Sequence, residues 1–154
     1  MRLFHHGRPL LSCASVQSAA DCVIYTVERF LSSRLGLTER RVLIVDDMAA
    51  VVRTTRRWLM RAGYEVRSAL DAEAALSEAE AFRPHCVLLD VQLGERAGPE
   101  VAEALRERLP GVEIVLTSGG EAPVGWRGRF FEKTSGPHAL LDALEAATDA
   151  SGVS

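Results

Sequence analysis

The sequence predicts an α/β fold built on a doubly wound, five-stranded parallel sheet in the order 2-1-3-4-5. Three observations lead there. From Arg41 onward, strand-like and helix-like stretches alternate. The strand-like stretches, such as Arg41–Val45 and Cys86–Leu89, are mostly continuous apolar runs, which implies a sheet covered on both faces. Right-handed crossovers between parallel strands then leave few arrangements.

The first strand is Arg41–Val45. Ala49–Arg61 follows with helical periodicity; Val52, Leu59 and Met60 are expected inward, and Gly63 is placed to cap the helix. Tyr64–Ala69 alternates as a strand and belongs at the sheet edge. Asp71 is positioned to N-cap a helix reaching Phe82, and Pro84 breaks the chain. Cys86–Leu89 is the third strand. Pro99 suits the first turn of a helix that ends near Leu109, ahead of Pro110-Gly111. Val112–Thr117 is the fourth strand, Gly128–Glu132 the fifth, and Pro137 opens a last helix to Thr148. Only residues 119–129 lie between Ser118 and Phe130, and Gly119, Gly120, Pro123, Gly125 and Gly128 are among them. A crossover with its helix needs at least about 10–12 residues, so the fourth crossover helix is expected to be reduced or absent. Trp126 is left to fill the resulting space or to face a partner.

Residues 1–40 precede this unit. They are expected to be partly disordered, with a candidate amphipathic helix over 18–35 in which Ala19, Cys22, Val23, Val27, Phe30 and Leu31 recur at helical spacing. Residues 41–148 form the globular unit and 149–154 a tail. The extension carries a net charge of +2 and the remainder −5.

With 47% hydrophobic and 25% charged residues, the composition is that of an ordinary globular protein. A net charge of −3 gives no footprint for nucleic acid. No apolar run is long enough to span a membrane. Three cysteines without metal-ligand spacing suit a reducing cytoplasm, and Cys86 is expected to be a buried hydrophobe.

In open parallel sheets the ligand site lies at the carboxyl ends of the strands, where the winding reverses. The first strand ends in Asp46-Asp47, the third in Asp90, the fourth in Thr117-Ser118 and the fifth in Lys133. The edge strand ends in Ala69-Leu70, with nothing ionic. Lys133 is the only lysine; the other seventeen basic residues are arginine. Lysine is a compact point charge that arginine's planar fork replaces poorly. Three carboxylates in one crevice repel, by roughly 3 kcal/mol for a pair about 5 Å apart at an effective dielectric of about 20. One ammonium does not balance them, and an all-oxygen site with room for water and a phosphate suits Mg²⁺.

Four stretches carry a resemblance to the receiver domain of two-component response regulators. They are Val42-Leu43-Ile44-Val45-Asp46-Asp47, Val87-Leu88-Leu89-Asp90 with Gly98 eight residues on, Leu116-Thr117-Ser118-Gly119, and Phe130-Phe131-Glu132-Lys133. The resemblance covers residues 41–148. It implies that Asp90 is the phosphoacceptor. Asp47 and Asp90 would hold Mg²⁺ directly, Asp46 would hold it through water, and the backbone carbonyl of Gln92 would add a ligand. Ser118 would be the switch hydroxyl, with Thr117 the rival by adjacency. Lys133 would bind the phosphoryl group, and Phe130 would take the place of the switch aromatic.

The sequence departs from the family pattern at two further positions. Gly94 stands four residues after Asp90, where the family usually has proline. Thr134 replaces the proline that usually follows the lysine, so a cis peptide is not expected there, since a non-proline cis bond costs about 3 kcal/mol.

The implied function is a single-domain phosphoacceptor in a phosphorelay. It is not an enzyme with a separate substrate. Its partners would be a sensor histidine kinase or a histidine phosphotransfer protein, and its output would run through protein contacts. The extension or the first-helix side is the candidate homodimer surface. The alternative is a receiver-like interaction module that is not phosphorylated.

Overall fold

The computed structural model describes residues 40–151 and, before them, residues 4, 5, 8, 9, 23, 27 and 31. Most of the candidate helix at 18–35 lies outside the described residues. Val23, Val27 and Leu31 are helical and exposed. Phe4–His5 pairs with Arg8–Pro9 as a short antiparallel ribbon.

The central sheet is parallel and five-stranded: β1 (Arg41–Val45), β2 (Glu65–Ala69), β3 (Cys86–Asp90), β4 (Glu113–Ser118) and β5 (Arg129–Glu132), in the spatial order β2-β1-β3-β4-β5. The expected topology is therefore the observed one. Val42–Val45 sit in register with Cys86–Leu89, and Cys86–Asp90 with Glu113–Thr117, so the ends of β1, β3 and β4 lie side by side.

Four helices cover the sheet: α1 (Ala49–Arg61), α2 (Ala72–Phe82), α3 (Gly98–Arg108) and α4 (Gly136–Ser151). Alternate residues of each strand enter different cores. Val42, Ile44, Cys86, Leu88 and Val115 face α1 and α4, against Leu59, Leu140 and Leu144. Leu43, Val45, Val87, Leu89 and Leu116 face α2 and α3, against Ala75, Ala79, Val101 and Leu105. A strand buried on both faces has no reason to alternate, which is why these stretches read as unbroken apolar runs.

Several local expectations hold in detail. Asp71 accepts the Ala74 N–H at 2.8 Å as the N-cap of α2. Pro99 sits in the first turn of α3. Gly63, just past α1, has φ +88°. Cys86 is fully buried, and burial pushes its thiol pKa up, so it packs as a small hydrophobe. No described peptide bond is cis.

Two expectations need correction. Met60 is not inward but 52% exposed. Val52 and Leu59, seven positions apart, share the buried face, and Met60 falls about 100° further round the helix. The last helix, expected to about Thr148, runs a little further. It continues to Ser151, because Thr148 is buried and Asp149 pairs with Arg40 at 2.5 Å, tying the end of α4 to the start of β1.

Between β4 and β5 there is no helix. Trp126 occupies that region and packs with Phe130 against the α2–α3 core. Its indole N–H donates to the Arg129 carbonyl at 3.0 Å, and the Arg106 guanidinium stacks over the ring. A Cβ on Gly128 would come within 2.4 Å of that ring. The tryptophan thus takes the place of the missing helix.

Candidate functional site

The crossovers bring the carboxyl ends of β1, β3 and β5 together, and with them the sequence-selected charges. Asp46 and Asp47 follow β1, Asp90 ends β3, and Lys133 opens a short helical turn after β5. One oxygen from each of the three carboxylates lies within 4.8 Å of the others.

Their environments differ. The Asp46 side chain is only 3% exposed and both its oxygens are engaged. Its Oδ1 accepts the Met48 N–H at 2.8 Å, and its Oδ2 accepts from Lys133 Nζ at 2.6 Å. Asp47 is exposed, and its Oδ2 accepts the Gly94 N–H at 3.3 Å. Asp90 is half-buried, lies 3.4 Å from Lys133 Nζ and accepts the Gln92 backbone N–H. Lys133 thus sits nearer to Asp46 than to Asp90. The reason is geometric: Asp46 lies deepest, and the ammonium descends to it past Asp90.

The charges leave their mark on proton affinity. Burial pushes the Asp90 carboxyl pKa up; Lys133 opposes this and Asp46 reinforces it. Burial works against the Lys133 ammonium, but the hydrogen bond and charge of Asp46, together with Asp90, outweigh it and hold the Lys133 pKa above its usual value. One ammonium therefore serves two carboxylates, and among the described residues the third has no ionic partner. That imbalance, and the all-oxygen donor set, fit a hard divalent cation such as Mg²⁺.

The remaining sequence-selected residues fall around this centre. Ser118 ends β4, is half-buried, and accepts the Gly120 N–H at 3.1 Å through its Oγ. Thr117 is buried and lines a cavity of about 380 Å³ between α1 and α4, together with Asp46, Trp58, Phe131, Lys133 and Leu140. Phe130 lies half-buried on the opposite side, against the α2–α3 core. Thr134 donates to Glu132 at 2.6 Å within the turn after β5.

Two contributions escaped sequence reasoning because they come from the backbone. The Met48 and Gly94 N–H groups fix Asp46 and Asp47, and no residue type announces them. Gly98 was visible as part of a motif, and the structure gives its reason. Its N–H donates to the Val91 carbonyl at 2.6 Å, and a Cβ there would stand 2.4 Å from the Asp90 carbonyl oxygen. Only glycine lets α3 start so close behind Asp90.

Comparison with known proteins agrees with this geometry. Residues 42–125 match the model of the response regulator receiver domain. PrrA, a transcriptional regulatory protein of Mycobacterium tuberculosis, is 39% identical over 83 residues, covering 54% of this chain and 36% of PrrA. PhoP, the alkaline phosphatase synthesis transcriptional regulatory protein of Bacillus subtilis, is 39% identical over 69 residues, covering 45% of this chain and 29% of PhoP. The matched region thus spans about a third of these relatives' length. Among solved structures, a CheY-like receiver domain protein from Methanospirillum hungatei superposes with a TM-score of 0.67 at 27% identity, covering 74% of this chain and 97% of that one. Vibrio cholerae CheY4, a chemotaxis response regulator, gives 0.64 at 28% identity, covering 71% and 99%. Among the described residues, no helix is long and apolar enough to cross a membrane.

Proposed function

This chain belongs to the response regulator receiver domain family, and from that premise we propose that it accepts a phosphoryl group from a phosphohistidine onto Asp90. The observation that carries the reading is the acidic cluster of Asp46, Asp47 and Asp90, with Lys133 ion-paired to two of its members.

In the transfer, a carboxylate oxygen of Asp90 forms the new O–P bond as the P–N bond to the donor imidazole breaks. The imidazole departs with the electron pair and takes a proton from solvent. Asp47 and Asp90 would hold Mg²⁺ directly, Asp46 would hold it through water, and the Gln92 carbonyl would add a ligand. When bound, the metal supplies neutralisation of the phosphoryl oxygens, which is most of what this chemistry needs. Lys133 provides the second positive charge at the same oxygens, and the 2.6 Å bond to Asp46 fixes its position.

Phosphorylation turns the Asp90 carboxylate, at −1, into an acyl phosphate of about −2, so the crevice gains a net charge of about −1. Ser118 then turns from Gly120 to a phosphoryl oxygen, and Phe130 moves with it. Phe130 and Trp126 both pack against the α2–α3 core, so the surface that changes is on the side from which the crossover helix is missing. The partners are a sensor histidine kinase or a histidine phosphotransfer protein in the cytoplasm, with output through protein contacts.

The test is transfer from an autophosphorylated histidine kinase. Label should pass to the wild type in the presence of Mg²⁺ and stay on the kinase with Asp90→Asn or with chelator. A kinase panel that labels neither protein, while labelling its own receivers, would favour a receiver-like module that is not phosphorylated.

A further inference from the structure

The segment that follows Asp90 is a two-plus-two antiparallel ribbon, Gln92–Leu93 with Arg96–Ala97. Gly94 occupies its tip with φ +57°. Its N–H points across the crevice and donates to Asp47 Oδ2 at 3.3 Å, while its carbonyl accepts the Gln92 side-chain amide at 2.6 Å. Among the described residues this is the only hydrogen bond made by the Asp47 carboxylate, which is otherwise exposed. Asp46 is fixed from two sides and Asp90 by its own loop, so the orientation of the third carboxylate depends on this one amide.

We infer that Gly94 is a positioning residue for cation binding: its backbone N–H holds the Asp47 carboxylate by Oδ2 within the cluster that it forms with Asp46 and Asp90. The inference rests on the reading of the acidic cluster as a cation site. Proline is excluded at this position twice over. It has no N–H to donate, and its ring fixes φ near −65°. The Gln92 amide supports the arrangement by clamping the Gly94 carbonyl, so that the peptide planes on both sides of the tip are fixed. Partners that orient a metal ligand typically change metal affinity by about 10–100-fold when removed. A single 3.3 Å bond to an exposed carboxylate belongs at the low end.

Three variants of the full chain separate the donor from the turn. Gly94→Asn keeps the N–H and tolerates a left-handed φ, and no atom lies within 4 Å of where its Cβ would be. Gly94→Ala keeps the N–H but strains the turn. Gly94→Pro removes both. Mg²⁺ affinity, read by calorimetry, should be unchanged in Gly94→Asn, near wild type in Gly94→Ala, and about tenfold weaker in Gly94→Pro. Equal loss in Ala and Pro, or none in Pro, overturns the inference. A second readout needs neither metal nor phosphoryl transfer. In metal-free protein the Gly94 amide should exchange more slowly in wild type than in Asp47→Ala. Equal exchange in the two overturns the inference even if Gly94→Pro fails to fold. Failure of phosphotransfer at Asp90 alone would leave both readouts intact and would count against the proposed function instead.

Discussion

Replacing Lys133 with methionine should destabilise the protein by about 3 kcal/mol at neutral pH, at the low end of the range for breaking a buried ion pair. The structure sets the size. Asp46 is 3% exposed, so its carboxylate cannot recover hydration when the ammonium 2.6 Å away is lost. The Met48 N–H remains on Oδ1 and partly sustains the charge, and the Lys133 side chain is itself 27% exposed; both hold the loss down. In a protein of this size, about 3 kcal/mol lowers Tm by roughly 10 °C. Thermal melts of Lys133→Met, Asp46→Asn and the double variant form a cycle. The coupling should be about 2 kcal/mol, because removing the Asp46 charge removes the penalty of leaving it unpaired. Added Mg²⁺ should raise the Tm of Lys133→Met more than that of wild type, since a cation then supplies charge that the lysine no longer does. A Lys133→Met variant melting within about 2 °C of wild type, with no coupling to Asp46, would refute the claim that this lysine is the counter-ion of the buried carboxylate.

Other consequences follow from the same geometry. Gly128→Ala should displace Trp126, since the new Cβ would meet its ring at 2.4 Å; a red-shifted tryptophan emission and a loss of about 1–3 kcal/mol are expected. Asp71→Ala removes the N-cap of α2 and should cost about 1 kcal/mol by denaturant titration. His85 accepts the Arg41 N–H through Nδ1, and burial, with Arg41 and Arg40 nearby, pushes its pKa down. A base with a lowered folded-state pKa contributes stability that is fully present above its unfolded value, about 6.5, and is lost as pH falls below it. Melts between about pH 5 and 7 should show that loss in wild type and a flatter profile in His85→Asn.

The fold was legible because the three inner strands are buried on both faces and every crossover is punctuated. Runs such as Val42–Val45 and Val87–Leu89 admit little else, and Asp71, Pro99 and Gly63 mark helix ends by local chemistry that tertiary contacts do not override. Met60 was misplaced because an apolar residue beside the buried stripe reads like one within it. The end of α4 was misplaced because its determinant, Arg40 with Asp149, spans almost the whole unit.

At the site, the charged residues were legible because strand ends in a doubly wound sheet converge. The pairing of Lys133 with Asp46 was not, because it depends on depth in the crevice, which sequence does not encode. The backbone donors of Met48 and Gly94 were equally hidden. The departures from the family pattern were more informative than the matches. Gly94 acquires an amide that proline lacks, and the short stretch after Ser118 is completed by Trp126 on Arg106.

The central claim is that Asp90 takes the phosphoryl group. Intact mass after incubation with acetyl phosphate and Mg²⁺, followed by peptide mapping, tests it most directly. The account expects an addition of about 80 Da confined to the peptide containing Asp90, absent in Asp90→Asn and absent without Mg²⁺. An unchanged wild-type mass, or the same addition in Asp90→Asn, would contradict it.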